Sequence, residues 1–214
     1  MKKVILESDI IKISKEGGNS ITVDEGTIFT PSALDRIRSA GIKILNKSEE
    51  KNTEAHQTEI PGSLKVAIAS DHTGYQLKKI LRDYLQKMGV AVLDLGTDSE
   101  ESCDYPDFAF AAAKKVILNE VNFGIIIDAT GIPSAITANK VPGIRAATCY
   151  NEFSARSSRE HNNANILVLG AKSIGEETAK SVLNVWLSAK FLEGRHQRRL
   201  DKITEIEQVF LKKP

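Results

Sequence analysis

From about residue 64 onward, short apolar runs alternate with longer segments in which apolar positions recur every three or four residues. The short runs are rich in Val and Ile, as buried strands are, whereas the periodic segments are typical of helices packed on one face. Predicted strands lie at residues 66–69, 90–95, 123–127, 145–149 and 166–169. Predicted helices lie at residues 75–88, 107–118, 134–140 and 175–189, with one more capped by Asn151 and a last one at 195–211.

The alternation of strands and helices also predicts how the strands pair. Parallel neighbours need a crossover connection, which an intervening helix supplies. We therefore expect an α/β fold with a doubly wound, mostly parallel, Rossmann-like sheet of about five strands. The last helix carries an apolar stripe with the spacing of Leu200, Ile203, Ile206 and Phe210, which favours packing on another subunit and hence a homo-oligomer.

The loop after the third of these strands is the first candidate site. Three isoleucines at residues 125–127 predict a buried central strand, and the strand ends at the small-residue loop 128–131. In an open α/β sheet, ligands bind in the crevice beyond the carboxyl ends of the strands. This loop therefore places the carboxylate of Asp128, the hydroxyl of Thr130 and several backbone N–H groups where a substrate would lie.

Residues 1–46 predict a small strand, helix, strand appendage. Thr30 and Pro31 supply an N-cap and a first helical residue, and Gly41 ends the helix. A fragment of this size is too small to hold a core alone, so we expect it to dock on a partner or on the main domain. Its pattern TPSALDRIRSAGIKI loosely resembles segments attached to some bacterial microcompartment enzymes, which would imply association with such a compartment.

The polar stretch at residues 47–63 ends in Pro-Gly and predicts a linker before a main domain at residues 64–214. The net charge of +1 gives no reason to expect nucleic-acid or membrane partners. Acidic residues interrupt the N-terminal apolar run, so neither a signal peptide nor a spanning helix is predicted. Cys103 and Cys149 lack metal-ligand spacing, which favours a cytoplasmic protein with two free thiols and no metal site.

Two further groups of polar residues lie at the ends of predicted elements. Asp71 and His72 follow the first strand, where Gly74 allows close backbone approach, and His161 with Asn162 ends the helix before the last strand. Both groups have a simpler interpretation. The aspartate can cap the next helix, and a histidine at a helix C-terminus can complement the helix dipole.

A basic cluster of Arg195, His196, Arg198 and Arg199 opens the last helix. Arg195 and Arg199 are four residues apart and share a helical face, a spacing that suits a phosphate monoester. The alternative is a solvated basic helix start. Basic charge at a helix N-terminus is unfavourable to the dipole, which favours a bound anion.

Five segments follow one another in the order seen in a known family: SDHTGYQLKK, DYPDFA, the loop before ITANKVPGIRA, SREHNNANILVLG and GRHQRR. Through them, residues 65–207 resemble the ribose-5-phosphate isomerase type B and galactose-6-phosphate isomerase family. The resemblance implies interconversion of aldose and ketose phosphates without a metal or organic cofactor. It also implies dimers or tetramers whose sites combine residues of two subunits.

The resemblance assigns roles to individual positions. Asp71 and His161 resemble the pair that helps to open the sugar ring, and His72 resembles a contact near the phosphate or ring oxygen. Asn139 and Asn162 resemble residues that hold substrate oxygens or the loop.

The same resemblance assigns the anion-binding residues. Arg195 and Arg199 resemble a phosphate clamp contributed by the neighbouring subunit. Lys172 stands where the family commonly has another phosphate-binding Arg, so a point charge replaces a planar fork there.

The loop at residues 128–131 departs from the family pattern. Asp128 occupies the position of the Cys that moves the proton between carbons, and Ser134 occupies that of a Glu used as base by some relatives. Pro133 replaces a Gly and has no N–H for an enediolate oxygen. We therefore expect Asp128 to be the base, and the N–H groups of Thr130 and Gly131 to hold the oxyanion.

Two hypotheses of different classes follow. The first is an aldose–ketose isomerase acting on a phosphorylated pentose or hexose of the ribose-5-phosphate or galactose-6-phosphate type. The second is a non-catalytic or partner-dependent sugar-phosphate-binding subunit, completed by a paralogous subunit that carries the Cys. A nucleotide-binding module fits the fold type only, because no glycine fingerprint follows the first strand.

Overall fold

A computed structural model describes residues 4–15, 18, 20–24, 27–46 and 64–211 of the chain. The chain divides into two compact units, residues 1–57 and residues 58–214. The predicted linker at residues 47–63 lies outside the described residues. The two units are described separately below.

The first unit contains more elements than the predicted strand, helix and strand. In chain order they are β1 (Val4–Ile5), α1 (Glu7–Lys15), β2 (Ser20–Val23), β3 (Ile28–Phe29), α2 (Pro31–Ala40) and β4 (Lys43–Asn46). β1 pairs in parallel with β3, and β2 with β4. The order strand, helix, strand thus occurs twice. The predicted elements correspond to β2, α2 and β4, whereas β1, α1 and β3 were missed, and the two missed strands are only two residues long.

Equivalent hydrogen bonds close the two helices of this unit. Gly18 N donates to Ile13 O at 2.9 Å, and Ile42 N donates to Ile37 O at 3.1 Å. Thr30 caps α2 as predicted, because its Oγ1 accepts a bond from Ala33 N at 3.3 Å.

The first unit also has a hydrophobic core of its own. Its buried members are Ile5, Ile10, Ile21, Val23, Ala33, Ile37 and Ile42. The expectation that the fragment is too small to hold a core is therefore wrong. Pairing the two strand, helix, strand halves supplies apolar residues from both sides, which neither half could do alone.

The second unit follows the predicted element order. Its strands are β5 (Lys65–Ser70), β6 (Ala91–Asp94), β7 (Phe123–Asp128), β8 (Ala146–Thr148) and β9 (Ile166–Gly170). Its helices are α3 (Tyr75–Lys87), α4 (Tyr105–Ile117), α5 (Ile132–Ala138), α6 (Glu152–Glu160), α7 (Glu176–Ser188) and α8 (Arg195–Leu211). A single 3₁₀ turn, His72–Gly74, precedes α3.

Two of these helices, α4 and α5, begin two residues earlier than predicted. Each has a proline in its first turn, Pro106 in α4 and Pro133 in α5. A proline there removes an N–H that has no partner inside the helix anyway, so the helix starts around it. The predicted cap of α6 is confirmed, because Asn151 Oδ1 accepts from Ser154 N at 2.8 Å in a capping box.

All five strands of the second unit form one parallel sheet in the order β6-β5-β7-β9-β8. One face is covered by α3, α6 and α7, and the other by α4 and α5. The doubly wound α/β fold is thereby confirmed. The isoleucines at residues 125–127 are at most 1% exposed, and burial of each such side chain contributes about 1.5–3 kcal/mol. No helix among the described residues combines the length and apolarity needed to cross a bilayer.

The strand order locates the binding crevice. The chain passes from β5 to β6 on one side and then returns to β7 on the other side of β5. The sheet therefore reverses its winding between β5 and β7, and a crevice opens beyond their carboxyl ends. Asp71 directly follows β5, and Asp128 is the last residue of β7.

We predict that a protein lacking residues 1–60 keeps the fold of the second unit. Both core clusters of that unit consist of residues from 64 onward, so the truncation removes none of their members. Thermal unfolding followed by circular dichroism should show one cooperative transition in the truncated protein. A broad, non-cooperative transition would contradict the prediction.

Candidate active site

Asp71 ties the end of β5 to the turn that follows it. Its Oδ1 accepts hydrogen bonds from Thr73 N at 2.9 Å, Thr73 Oγ1 at 2.6 Å and Gly74 N at 3.2 Å. The capping alternative for Asp71 is thus confirmed. Its backbone N–H also donates to Ile127 O at 3.2 Å, which joins the turn to β7. The role of Asp71 in ring opening stays a prediction.

Gly74 is the residue that permits this close approach. A Cβ at position 74 would lie 2.6 Å from the carbonyl oxygen of Ile127. Because a backbone atom cannot move aside as a flexible side chain can, only glycine fits here. The predicted reason for Gly74 is therefore confirmed.

His72 contacts the loop that precedes α4. Its Nδ1 accepts a hydrogen bond from Cys103 N at 3.2 Å, and Cys103 Sγ lies 3.9 Å from the same nitrogen. The loops after β5 and β6 therefore meet at His72. The sequence indicated His72 but gave no reason to pair it with Cys103.

The carboxylate of Asp128 is turned into its own loop. Its Oδ1 accepts from Thr130 N at 2.8 Å and from Gly131 N at 2.5 Å, and its Oδ2 accepts from Ser134 N at 3.0 Å. The residue is 1% exposed. The two N–H groups that we expected to hold an oxyanion are thus occupied by Asp128.

The carbonyl groups of the same loop are also held. Four consecutive carbonyl oxygens, at residues 128–131, each accept one bond, from Ala171 N (2.8 Å), Lys172 N (2.9 Å), Tyr150 OH (3.0 Å) and Thr148 Oγ1 (2.7 Å) in that order. The side chain of Thr130 is exposed and its Oγ1 accepts from Ile132 N at 3.3 Å. Thr130 therefore presents an exposed hydroxyl in a loop whose carbonyl oxygens are all hydrogen-bonded.

Two glycines allow this loop to lie in close contact with the ends of β9 and β8. A Cβ at Gly170 would lie 2.5 Å from the carbonyl atoms of Thr130, and one at Gly131 would lie 2.7 Å from Thr148 Cγ2. Gly131 also has a φ of +81°, which disfavours other residues. The position of the loop thus depends on both glycines.

His161 ends α6 and packs against the start of α8. Its Nδ1 lies 3.2 Å from Ser157 Oγ, and its ring stacks on the ring of His196 with centroids 4.4 Å apart and planes 6° apart. Leu192 N donates to Glu160 O at 3.0 Å, which holds the segment before α8 against the end of α6.

The basic cluster surrounds His196, which is buried. Burial lowers the pKa of His196, and the positive charges of His161, Arg195 and Arg199 lower it further. Arg195 Nε also lies 3.5 Å from His196 Nε2. The predicted phosphate clamp is therefore linked through His196 to His161 of the same chain. Whether Arg195 and Arg199 also serve a neighbouring subunit stays a prediction.

The remaining predicted residues lie at the edge of this region. The side chain of Asn139 bonds to the main chain rather than facing a ligand. It donates to Ala146 O at 2.9 Å and accepts from Ala146 N at 2.8 Å. Asn162 lines a groove between α8 and the segment at residues 139–147 with a volume of about 800 Å³. The side chain of Lys172 is exposed, next to the loop that its backbone N–H supports.

The sequence did not indicate four further residues of this region, Cys103, Thr148, Tyr150 and Ser157. It placed His196 in the basic cluster but did not predict its stacking on His161. Thr148 and Tyr150 lie at the carboxyl end of a predicted strand, which was a usable signal. Among the described residues, no group of three or more His, Cys, Asp or Glu side chains is placed to hold a metal ion.

The second unit matches the family model described as Ribose/Galactose Isomerase over residues 66–203. This match covers β5 from its second residue, the other four strands of the sheet and the whole basic cluster. The chain belongs to the ribose/galactose isomerase family. The resemblance seen in the sequence is thereby confirmed.

Similar proteins span this unit almost end to end. Ribose-5-phosphate isomerase B of Escherichia coli is 44% identical over 67% of this chain and 97% of its own length. A solved ribose-5-phosphate isomerase B from Clostridium thermocellum is 50% identical, with a TM-score of 0.68 over 69% of this chain and 99% of that one. The Mycoplasma genitalium enzyme, solved with bound ribulose-5-phosphate, is 42% identical, with a TM-score of 0.66 over 68% and 97%.

The lowered pKa of His196 predicts a loss of stability in mild acid. The unfolded chain takes up this proton near the ordinary pKa of 6.5, whereas the folded protein resists it. The contribution of the neutral ring is therefore complete above pH 6.5 and is lost as the pH falls below it. Urea unfolding between pH 8 and pH 5 should show a shallower pH dependence in His196→Phe, which keeps a ring but cannot titrate. Equal slopes in both proteins would contradict the prediction.

Proposed function

We propose that this protein catalyses aldose–ketose isomerisation of a phosphorylated pentose or hexose through an enediolate. The family match over residues 66–203 carries the proposal, because it covers the loops at the carboxyl ends of the sheet. Relatives named ribose-5-phosphate isomerase B support a ribose-5-phosphate type of substrate. A cytoplasmic location belongs to the same proposal and is supported by two free cysteines.

The sugar would lie in the crevice between the ends of β5 and β7. In this proposal Asp71 and His161 assist ring opening, and His72 contacts the phosphate or the ring oxygen. Thr130 offers its exposed hydroxyl to a substrate oxygen. Asn162 lines the groove beside α8 and is proposed to bind another oxygen of the substrate.

The phosphate would be bound by the cations around the start of α8. Arg195 and Arg199 lie on one exposed helical face and share His196 as a neighbour. Arginine forks match the geometry of phosphate oxygens, and each charge-assisted bond is stronger than a neutral one. Lys172 adds a point charge near the loop at residues 128–131.

We also propose that the protein is a homo-oligomer, at least a dimer, in which α8 packs on a second copy. Leu200 is buried, whereas Ile203 and Ile206 are 45% and 60% exposed along the same groove. Apolar side chains repeated along one exposed helical face favour association. In this arrangement the basic start of α8 would also reach the neighbouring site.

A second candidate is a sugar-phosphate-binding subunit that needs a paralogous partner for catalysis. One observation favours it: the carboxylate of Asp128 is 1% exposed and accepts three backbone hydrogen bonds. A base must reach the hydrogen on the carbon beside the carbonyl, and a buried carboxylate does so poorly.

An isomerase assay of the purified protein decides between the two candidates. The panel contains aldose phosphates of five and six carbons, each tested for ketose formation and for binding. Turnover of at least one sugar phosphate by the protein alone supports the isomerase. Binding without turnover supports the subunit that needs a partner.

Arg195→Ala should weaken binding of the sugar phosphate but not of the unphosphorylated sugar. Loss of a charge-assisted hydrogen bond to phosphate costs about 1.5–3 kcal/mol, or roughly a ten-fold or greater rise in Kd. Arg198→Ala removes the same charge from the same helix and is the matched control. Equal weakening for both ligands, or in both variants, would show that Arg195 does not bind the phosphate.

Ile206→Asp should dissociate the oligomer with little effect on the fold. The side chain is 60% exposed within one chain, but a charge there would be buried in the proposed interface. Gln208→Asp adds the same charge to an exposed position of the same helix and is the control. Light scattering at micromolar concentration should give a monomer for the first variant only, and a monomeric unmodified protein would contradict the proposal.

A further inference from the structure

We infer that Asp128 is a positioning residue, which holds the loop at residues 128–131 through its backbone N–H groups, and that another group transfers the proton. The inference rests on the proposed isomerase function and specifies how its loop works. It replaces our expectation, drawn from the family position, that Asp128 is the base.

The hydrogen bonds of Asp128 leave little of the carboxylate for a substrate. Both oxygens are engaged, Oδ1 with the N–H groups of Thr130 and Gly131, and Oδ2 with that of Ser134. The side chain is 1% exposed. A general base needs a lone pair within hydrogen-bond reach of the proton that it removes, directly or through one water. In this geometry three of the roughly four lone-pair sites of the Asp128 carboxylate accept N–H groups of its own loop and of Ser134, and the side chain is buried.

The carboxylate completes a loop that is otherwise held from outside. The four carbonyl oxygens of the loop accept bonds from Thr148 at the end of β8, from Tyr150 just after it, and from the two residues that follow β9. Those bonds fix the carbonyl side of the loop, and Asp128 fixes the N–H side. A buried backbone N–H without a partner is costly, so the loop needs an acceptor at this place. The carboxylate of Asp128 is that acceptor for three N–H groups.

The consequence is a preorganised Thr130. Its main chain is held on both sides, by Asp128 at the N–H group and by Tyr150 at the carbonyl oxygen, while its side chain is exposed. A substrate would therefore meet a fixed hydroxyl at the carboxyl end of β7. A positioned donor contributes to catalysis because it needs no reorganisation during the reaction.

Asp128→Asn separates positioning from base catalysis. The amide keeps the shape of the carboxylate, but it has one oxygen and one NH₂ group. Whichever way it is turned, the NH₂ faces at least one backbone N–H that Asp128 now accepts. A positioning role therefore predicts a loosened loop, whereas a base role predicts an intact loop with slow chemistry.

The experiment combines amide hydrogen exchange by NMR with the pH profile of kcat/KM. In Asp128→Asn, at least one of the amides of Thr130, Gly131 and Ser134 should exchange at least about ten-fold faster than in the unmodified protein. The residual activity should keep the acid limb of the pH profile, because the titrating base is still present. The control is Asn122→Ala, which removes one bond to Lys65 N at the amino ends of β5 and β7, opposite the loop, and should leave both readouts unchanged.

Support requires both results. Unchanged exchange of the three amides would overturn the positioning role, and loss of the acid limb would return the base to Asp128. If the variant does not fold, the unmodified protein decides the question. Amides of Thr130, Gly131 and Ser134 that exchange as fast as those of an exposed loop would show that Asp128 does not bond them, and would overturn the positioning role. An inactive unmodified protein would refute the proposed function, whereas the exchange data would still test the positioning role.

Discussion

The structure around the site depends on how one loop is held where the buried strand β7 ends. The isoleucines of β7 anchor the loop in the core, and the parallel sheet sends its main chain out beside the ends of β5 and β9. Because Gly170 has no side chain, the loop can pass close to the end of β9, and Thr130 and Gly131 contact the side chains of Tyr150 and Thr148 at the end of β8. Because the carbonyl oxygens of the loop accept bonds from other parts of the chain, its N–H groups need a separate acceptor. The carboxylate of Asp128 supplies it.

The same constraint connects the rest of the candidate site. Asp71 fixes the turn after β5 and bonds through its own N–H group to β7, so the two sides of the crevice are joined. His161 is held by a contact with Ser157 and by the stacked ring of His196. The side chains of Asp71, His72, Asp128, Asn139 and His161 are therefore positioned by local hydrogen bonds before any ligand binds. Such preorganisation is what catalysis of a proton transfer requires.

Much of this was predictable from sequence because it is local. The alternating pattern, the cap at Asn151 and the close approach at Gly74 follow from neighbouring residues, and they are confirmed. The contacts of Thr148 and Tyr150 with the loop depend on the strand order β7-β9-β8, which no local pattern reveals. The direction of the Asp128 carboxylate was missed for a similar reason, since a residue type does not show where its lone pairs point. The strands β1 and β3 are simply too short for a periodic signal.

The central claim is that this unit isomerises a sugar phosphate by moving a proton from the carbon beside the carbonyl. The most direct measurement is ¹H NMR of ribose 5-phosphate incubated with the purified protein in D₂O. The account predicts ketose formation together with deuterium at the carbon that receives the proton, because a base that exchanges with solvent carries it. A substrate that binds in the same sample but keeps its hydrogen and yields no ketose would contradict the account.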